Sequence, residues 1–413
     1  MRKEIFIFVI VILPNVHTQF IADSLRYLLN TGRYEINENG VSYPTIVDGV
    51  RRQRSISQQV PFPCDTKNGR SLKIPSDVNR LKIGDIDVIA GLGDSLVAAS
   101  GALEEFAIGT FIEARGVSWC AGGQGNWRTY FTVPNLIKEF NGNLTGYATG
   151  TGEFISSKAG LNIAFPVAAT EDALHQAKIL VKRIKNNPKI DFKKHWKMIT
   201  ILFGANDICS AQCYSPVAFS PAKYALNLRK ALDYLRLMLP RTFVNLVPAI
   251  DVTVSVRVTR SVMCNLIHPL YCACLHQGKR PDIAASKMVR LYQQAVDSLV
   301  SSGRYDTTED FTVVVQPFTK MFNAPNSDPS KAPPFDSNMV TYDCFHFSQK
   351  GHALVANLLW NNMLEPVGNK SQNHLPKLME KVHCPTENAP YIFTNKNSKR
   401  YRDYGHQDGI IPR

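Results

Sequence analysis

Three short segments hold residue types that together could break an ester. Gly93-Asp94-Ser95-Leu96 places a serine directly after the apolar run 86–90 and before a stretch of helical character, 96–107. A serine at such a strand-to-helix turn presents its hydroxyl at the carboxyl end of a sheet, where the helix start offers backbone N–H groups to a developing oxyanion. Asp343-Cys344-Phe345-His346 supplies a base, because a carboxylate three positions before the imidazole can fix the tautomer whose other nitrogen faces the serine. Gly204-Ala205-Asn206-Asp207 follows the apolar run 198–203. An asparagine there can aim its amide N–H into the same crevice, a contribution of roughly 2.7–4 kcal/mol to the transition state. Each segment alone is weak, since four common residues recur by chance and Asn and Asp favour turns. Serine, asparagine, then Asp-x-x-His, each at an element boundary and in that order, outweigh chance. No Gly-x-Ser-x-Gly occurs, so the serine is not the nucleophile elbow of an α/β-hydrolase. His352, inside the helix that Ser348 opens, reads as a packing histidine or one that supports the site residues from behind.

The elements that must position these residues read as alternating β-rich runs and helical stripes, the pattern of a mainly parallel sheet covered by helices. Strands are expected at 86–90, 144–149, 198–203, 242–247 and 312–315. Thr170 opens a helix with Leu174, Ala177, Val181 and Ile184 on one face, and Pro188 lies beyond its end. Ser220-Pro221 opens another, with Tyr224, Leu228, Leu232, Leu235 and Leu239 in a stripe that stops at Pro240. A third carries Met288, Tyr292, Val296 and Leu299 inward and ends near Gly303. The expected organisation is a signal peptide at 1–18, an N-terminal extension at 19–84, a hydrolase domain at 85–365 and a basic C-terminal arm at 366–413.

The order of these segments resembles the GDSL or SGNH hydrolases, and within them a single catalytic unit of the animal phospholipase B group. The likeness runs from about Asp85 to Ser398. It includes Gly116-Val117-Ser118-Trp119, Gly122-Gly123-Gln124-Gly125-Asn126, Gly204-Ala205-Asn206-Asp207-Ile208-Cys209, Asp343-Cys344-Phe345-His346-Phe347-Ser348 and the stretch from Leu359-Trp360-Asn361 to Pro366. The resemblance implies a three-layer α/β/α, flavodoxin-like fold with a five-stranded sheet. It makes Ser95 the nucleophile, His346 the base, Asp343 its orienting acid and Asn206 an oxyanion donor beside the Ser95 N–H. It implies an acyl ester hydrolase acting on glycerophospholipids and lysophospholipids.

One position departs from the family pattern. Asn162-Ile163-Ala164-Phe165-Pro166-Val167-Ala168 matches the family's second block, with Val167 where a glycine is expected to give its N–H to the oxyanion. A valine keeps the N–H but disfavours positive φ, so the hole is expected to be altered. Gly123 is a candidate substitute donor. Two alternatives follow: an esterase on another lipid or an acetylated glycan, and a catalytically weakened lipid-binding homologue.

The 413 residues are 44% hydrophobic, enough for a large buried core and incompatible with disorder. Arg2 and Lys3 followed by the apolar run 5–13 read as a secretory signal, too short to span a bilayer. Secretion makes Cys64, Cys120, Cys209, Cys213, Cys264, Cys272, Cys274, Cys344 and Cys384 disulfide partners, and nine being odd, at least one thiol is left over. Cys264, Cys272, Cys274 and His276 lack regular zinc spacing. No metal or organic cofactor is implied. Asn143 and Asn369 begin sequons suited to glycosylation. The stretch Arg51-Arg52-Gln53-Arg54 reads as a solvated loop rather than a processing site. The net charge of +13 is scattered, without a nucleic-acid-binding motif, and fits peripheral contact with an anionic membrane surface.

Overall fold

The computed structural model describes residues 51–259 and 262–408, together with the backbone of a short hairpin, β1 (Tyr34–Ile36) and β2 (Ser42–Pro44). The expected signal peptide lies outside the described residues. Four strands, β3 (Ile86–Gly93), β4 (Trp196–Leu202), β5 (Thr242–Val247) and β6 (Phe311–Val315), form a parallel sheet in the order β3-β4-β5-β6. Every residue of these four strands except Val315 is buried. That explains why these strands read as unbroken apolar runs rather than alternations: a parallel sheet is covered on both faces.

The helices are α1 (Ser95–Ala98), α2 (Val133–Phe140), α3 (Ala173–Asn186), α4 (Pro221–Met238), α5 (Val262–Tyr271), α6 (Pro281–Ser301), α7 (Gln349–Met363) and α8 (Asn395–Tyr404). Helices α3, α4 and α6 pack side by side, and α2 packs on α7, giving the expected three-layer α/β/α architecture. The α4 stripe matches the sequence, with Tyr224, Leu228, Leu232 and Leu235 buried. In α3 the expected Ala177, Val181 and Ile184 are buried, joined by Leu180, while Leu174 is half-buried; in α6 Tyr292 and Val296 are buried with Val289 and Val300, and Met288 and Leu299 pack half-buried against the core. Among the described residues no helix is long and apolar enough to cross a membrane.

Two expectations are corrected. The sheet has four strands, not five, because the chain at 144–149 leaves the outer edge of β3 almost at once. Thr145 bridges Val88, Gly146 turns at φ +92°, and only at Leu161–Asn162 does the chain return to bridge Gly91. The fifth strand's place is thus shared by two fragments with an excursion between them. The helical stretch after Ser95 is a single turn, because Ala99 adopts φ 61° and Gly101 φ 69°. The chain then folds back so that Ser100 pairs with Glu113.

The described parts of the extension, from 51 to 84, and of the arm, from 366 to 408, are folded onto each other and onto the domain. Cys64 is bridged to Cys384. Ile392 N–H donates to Leu81 O at 2.8 Å, Asn397 Nδ2 to Asn79 O at 2.9 Å, and Arg80 pairs with Asp408. The Arg51–Arg54 stretch is not a solvated loop. Arg51 Nε donates to Val340 O at 2.9 Å with its guanidinium 3.9 Å from the Tyr342 ring centroid, and the Gln53 N–H reaches Gln349 Oε1 at 2.7 Å. These contacts anchor the segment to the chain on either side of His346.

The Cys64–Cys384 bridge closes a loop of 320 residues, so its loss mainly frees the unfolded chain. Cys64→Ser/Cys384→Ser is expected to lower unfolding free energy by about 2–4 kcal/mol in denaturant titrations. It should also make the arm the first site of limited proteolysis.

Candidate active site

The three sequence segments meet at the carboxyl ends of β3 and β4. Gly93 and Leu202 are register partners, so Ser95, two residues past one, and Asn206, four past the other, leave adjacent strands into one crevice. The close approach demands glycine at position 93, since a Cβ there would lie 2.3 Å from Leu202 O. Gln176 of α3 pins this strand end from the side, accepting from Gly93 N at 2.8 Å and donating to Gly93 O at 2.7 Å. Gly204, at φ +119°, makes the turn that aims Asn206.

His346 Nε2 lies 2.8 Å from Ser95 Oγ, and His346 Nδ1 lies 2.6 Å from Asp343 Oδ2. The remaining carboxylate oxygen, Oδ1, accepts from Thr341 Oγ1, from Phe345 N at 2.9 Å and from His346 N at 3.1 Å. Burial pushes the Asp343 carboxyl up, but the His346 charge and these hydrogen bonds outweigh it and hold it below the usual carboxylate range. The turn is closed by Thr341 N–H on His346 O at 2.8 Å, with Cys344 at φ 61°. All three residues are buried, Ser95 at 5% and His346 at 3% exposure. The Tyr271 ring meets the imidazole edge-on at 5.2 Å.

The segment carrying Val167 is docked against Asn206 and Asp207. Phe165 N–H donates to Gly93 O at 3.3 Å, Asn206 Nδ2 to Ala168 O at 3.0 Å, and Thr170 N–H to Asp207 Oδ2 at 3.0 Å. Val167 itself adopts φ 57° with its side chain exposed. A β-branched residue is disfavoured there by roughly 1–2 kcal/mol. The valine thus occupies a left-handed backbone conformation that favours glycine. Among the described residues the N–H groups of Ser95 and Val167 donate to no protein acceptor, and one Asn206 amide hydrogen remains beyond its bond to Ala168. Gly123 is not a substitute, because its N–H donates to Ala148 O at 2.8 Å.

Two buried carboxylates flank the centre that sequence reasoning did not single out. Asp94 caps α1 by accepting from Leu96 N at 2.9 Å, while its Oδ2 has no partner among the described residues. Burial, only partly countered by the Leu96 hydrogen bond and the His346 charge, raises its pKa to about 7. Burial likewise lifts Asp207 to about 6 against its Thr170 hydrogen bonds. The D and N-D positions of the motifs were the available signal, since an acid just before a helix is a cap. His352 is a packing histidine, as expected: Trp119 N–H reaches its Nδ1 at 3.4 Å, and burial with the His346 charge lowers its pKa to about 3.

Four disulfides form, and Cys120 is the leftover, buried thiol. Three of them link the segment around α5 to the loops that carry Asn206 and His346. Cys264 joins Cys344, between Asp343 and His346, while Cys272 joins Cys209 and Cys274 joins Cys213, just past Asn206. The cysteines beside His276 are thus cross-links rather than metal ligands. Both sequon asparagines, Asn143 and Asn369, are exposed.

The GDSL-like Lipase/Acylhydrolase family profile matches residues 89–359. The human protein named "Phospholipase B1, membrane-associated" is 40% identical over 374 residues, covering 88% of this chain and 25% of that protein. The mouse protein of the same name is 37% identical over 350 residues, covering 82% of this chain and 23% of its own length. The chain spans about a quarter of the length of these relatives. With a serine, a paired His-Asp and an asparagine gathered at one sheet end, and the family profile running across all of them, the chain belongs to the GDSL-like lipase/acylhydrolase family.

Proposed function

We propose that the protein is a serine esterase that hydrolyses acyl ester bonds of glycerophospholipids and lysophospholipids. The observation that carries this reading is the continuous Ser95–His346–Asp343 contact, 2.8 Å and 2.6 Å. Ser95 Oγ gives its proton to His346 Nε2 and attacks the ester carbonyl, while ionised Asp343 stabilises the imidazolium. The oxyanion is received by the Ser95 N–H, an Asn206 Nδ2 hydrogen and the Val167 N–H. His346 passes the proton to the leaving alkoxide, then takes one from the water that attacks the acyl-enzyme. The lipid substrate comes from the relatives' name, and the four disulfides and exposed sequons support a secreted, glycosylated chain. Peripheral contact with an anionic membrane surface belongs to the same reading.

A second reading has its own observation. Val167 at φ 57° places strain beside the oxyanion site, as a weakened, lipid-binding homologue would show. Wild-type turnover separates the two. Under the esterase reading the wild type releases fatty acid, and Val167→Gly changes kcat by less than about tenfold; release seen only in Val167→Gly would favour the weakened homologue.

The buried carboxylates set a pH window. The unfolded chain releases the Asp94 proton near pH 4 and the folded chain near 7, so the folded state binds more protons in between and stability falls as pH rises through that range. Asp207 has the same sign up to about 6. Asp343, lowered in the fold, has the opposite sign: its contribution is present above the unfolded value and lost as pH falls through the folded one.

Fluorophosphonate labelling tests the triad: the wild type should label and Ser95→Ala should not, and labelling unchanged by the mutation would reject Ser95 as nucleophile. Asn206→Ala is expected to lower kcat by about 10²–10³ with smaller change in KM. Asp94→Asn keeps the acceptor for Leu96 N–H, so denaturant titrations should show it losing less stability than wild type on going from about pH 5 to 8. The difference is bounded by about 1.4 kcal/mol per pH unit.

A further inference from the structure

Helix α5 is inside out. An amphipathic helix on a globular domain buries its apolar stripe and shows polar residues to water, but α5 buries Cys264 and His268, and its last residue, Tyr271, leans on His346. Its outer face carries Val262, Leu266 and Leu270, spaced four apart and 66–76% exposed. Phe111, 65% exposed, continues this surface toward the crevice; its ring lies 6.3 Å from that of Tyr271, whose hydroxyl meets Thr110 Oγ1 at 2.7 Å. The apolar face therefore runs up to the side chain that covers the catalytic imidazole.

In sequence, the stretch that contains this face is rich in cations: between Asp251 and Asp282 the chain has Arg257, Arg260, Lys279 and Arg280 and no carboxylate. Arg280 pairs with Asp282 and Asp328, while Lys279 is exposed. An apolar helix face flanked by cations is suited to lie in the headgroup region of an anionic lipid surface. A second copy of the chain fits less well, since a two-fold contact through this face would set the same cations against each other. The face is also permanent. Cys264 is tied to Cys344, Cys272 to Cys209 and Cys274 to Cys213, so the segment around α5 is fastened to both loops and cannot swing away as a lid.

We propose that Val262, Leu266 and Leu270, together with Phe111, form a fixed docking face that seats the chain on an anionic lipid surface and brings the mouth of the Ser95 crevice against it. This rests on the reading above that the substrate is a lipid ester. Docking precedes catalysis and requires no opening step.

The test uses the full chain with Ser95→Ala, which leaves lipids intact, and vesicles of phosphatidylcholine alone or mixed with phosphatidylserine. Binding to the mixed vesicles is expected, weakening as salt rises. Leu266→Gln/Leu270→Gln should lower that affinity by about tenfold or more. In the Ser95 background the same double variant should keep its thermal midpoint and its turnover of a water-soluble short-chain ester. Phe111→Gln, outside α5, should weaken vesicle binding in the same direction and covers the case in which the helix variant fails to fold. Undiminished vesicle binding by both variants would overturn the docking face, as would a wild-type dimer in sedimentation that Leu266→Gln/Leu270→Gln dissociates. Soluble-ester turnover without vesicle binding would reject the face and leave the esterase reading standing. Vesicle binding without any ester turnover would do the reverse.

Discussion

A carboxylate with no exposure to water must stay charged for the proposed triad to work, and much of the local structure answers to that requirement. Taking an ion from water to a protein interior costs several kcal/mol unless its lone pairs are met. Asp343 meets them with His346 Nδ1 on one oxygen and Thr341, Phe345 and His346 donors on the other. Two of those donors are backbone N–H groups of the turn that the carboxylate itself initiates. The turn can form only if Cys344 enters the left-handed region, an unfavourable state for a residue with a side chain. The hydrogen bonds within the turn and the cross-link to Cys264 over-determine it. The histidine is thus aimed by the same contacts that keep the acid ionised.

The opposite wall of the crevice follows a related logic with a different currency. There the strained residue is Val167, and the contacts that hold its segment are three hydrogen bonds to two neighbouring elements: Phe165 to the end of β3, and Ala168 and Thr170 to Asn206 and Asp207 past the end of β4. Because Asn206 and Asp207 leave β4 next to the strand that delivers Ser95, strain in the loop is opposed by the sheet itself. An oxyanion site gains most when its donors are fixed before charge develops, and a loop bonded at three points loses little freedom when substrate arrives.

The sequence made the strands and the centre legible because both are governed by local rules. β5 and β6 fell within a residue of their expected bounds, since a buried parallel strand is a short apolar run bounded by turn residues. Ser95, Asn206, Asp343 and His346 were legible from their positions at element ends. What stayed hidden depends on distant partners. The 144–149 run has strand composition, yet Gly146 and the return at Leu161 decide that it only bridges. Arg51 and Gln53 look like part of a basic loop, but their partners near Val340 and Gln349 are almost 300 residues away. Leu174, Met288 and Leu299 lie on the half-buried flanks of their stripes, which carry apolar residues too, so periodicity alone fixes the fully buried line only to within one position.

Disulfide pairing was the least readable feature and is the one that unites the two walls. The Asn206 loop and the His346 turn lie about 140 residues apart in sequence. Each is cross-linked to the same short segment, 264–274. That segment also carries Tyr271, so the residue that covers the imidazole, the loop that orients it and the loop that offers the asparagine move as one body. A hydrogen-bonded lid could exchange between open and closed packings; a segment fastened at three points is tethered to both loops. The remaining thiol does not endanger the arrangement. Cys120 is buried behind the site, and burial raises its pKa, so it offers little thiolate to attack the neighbouring bridges.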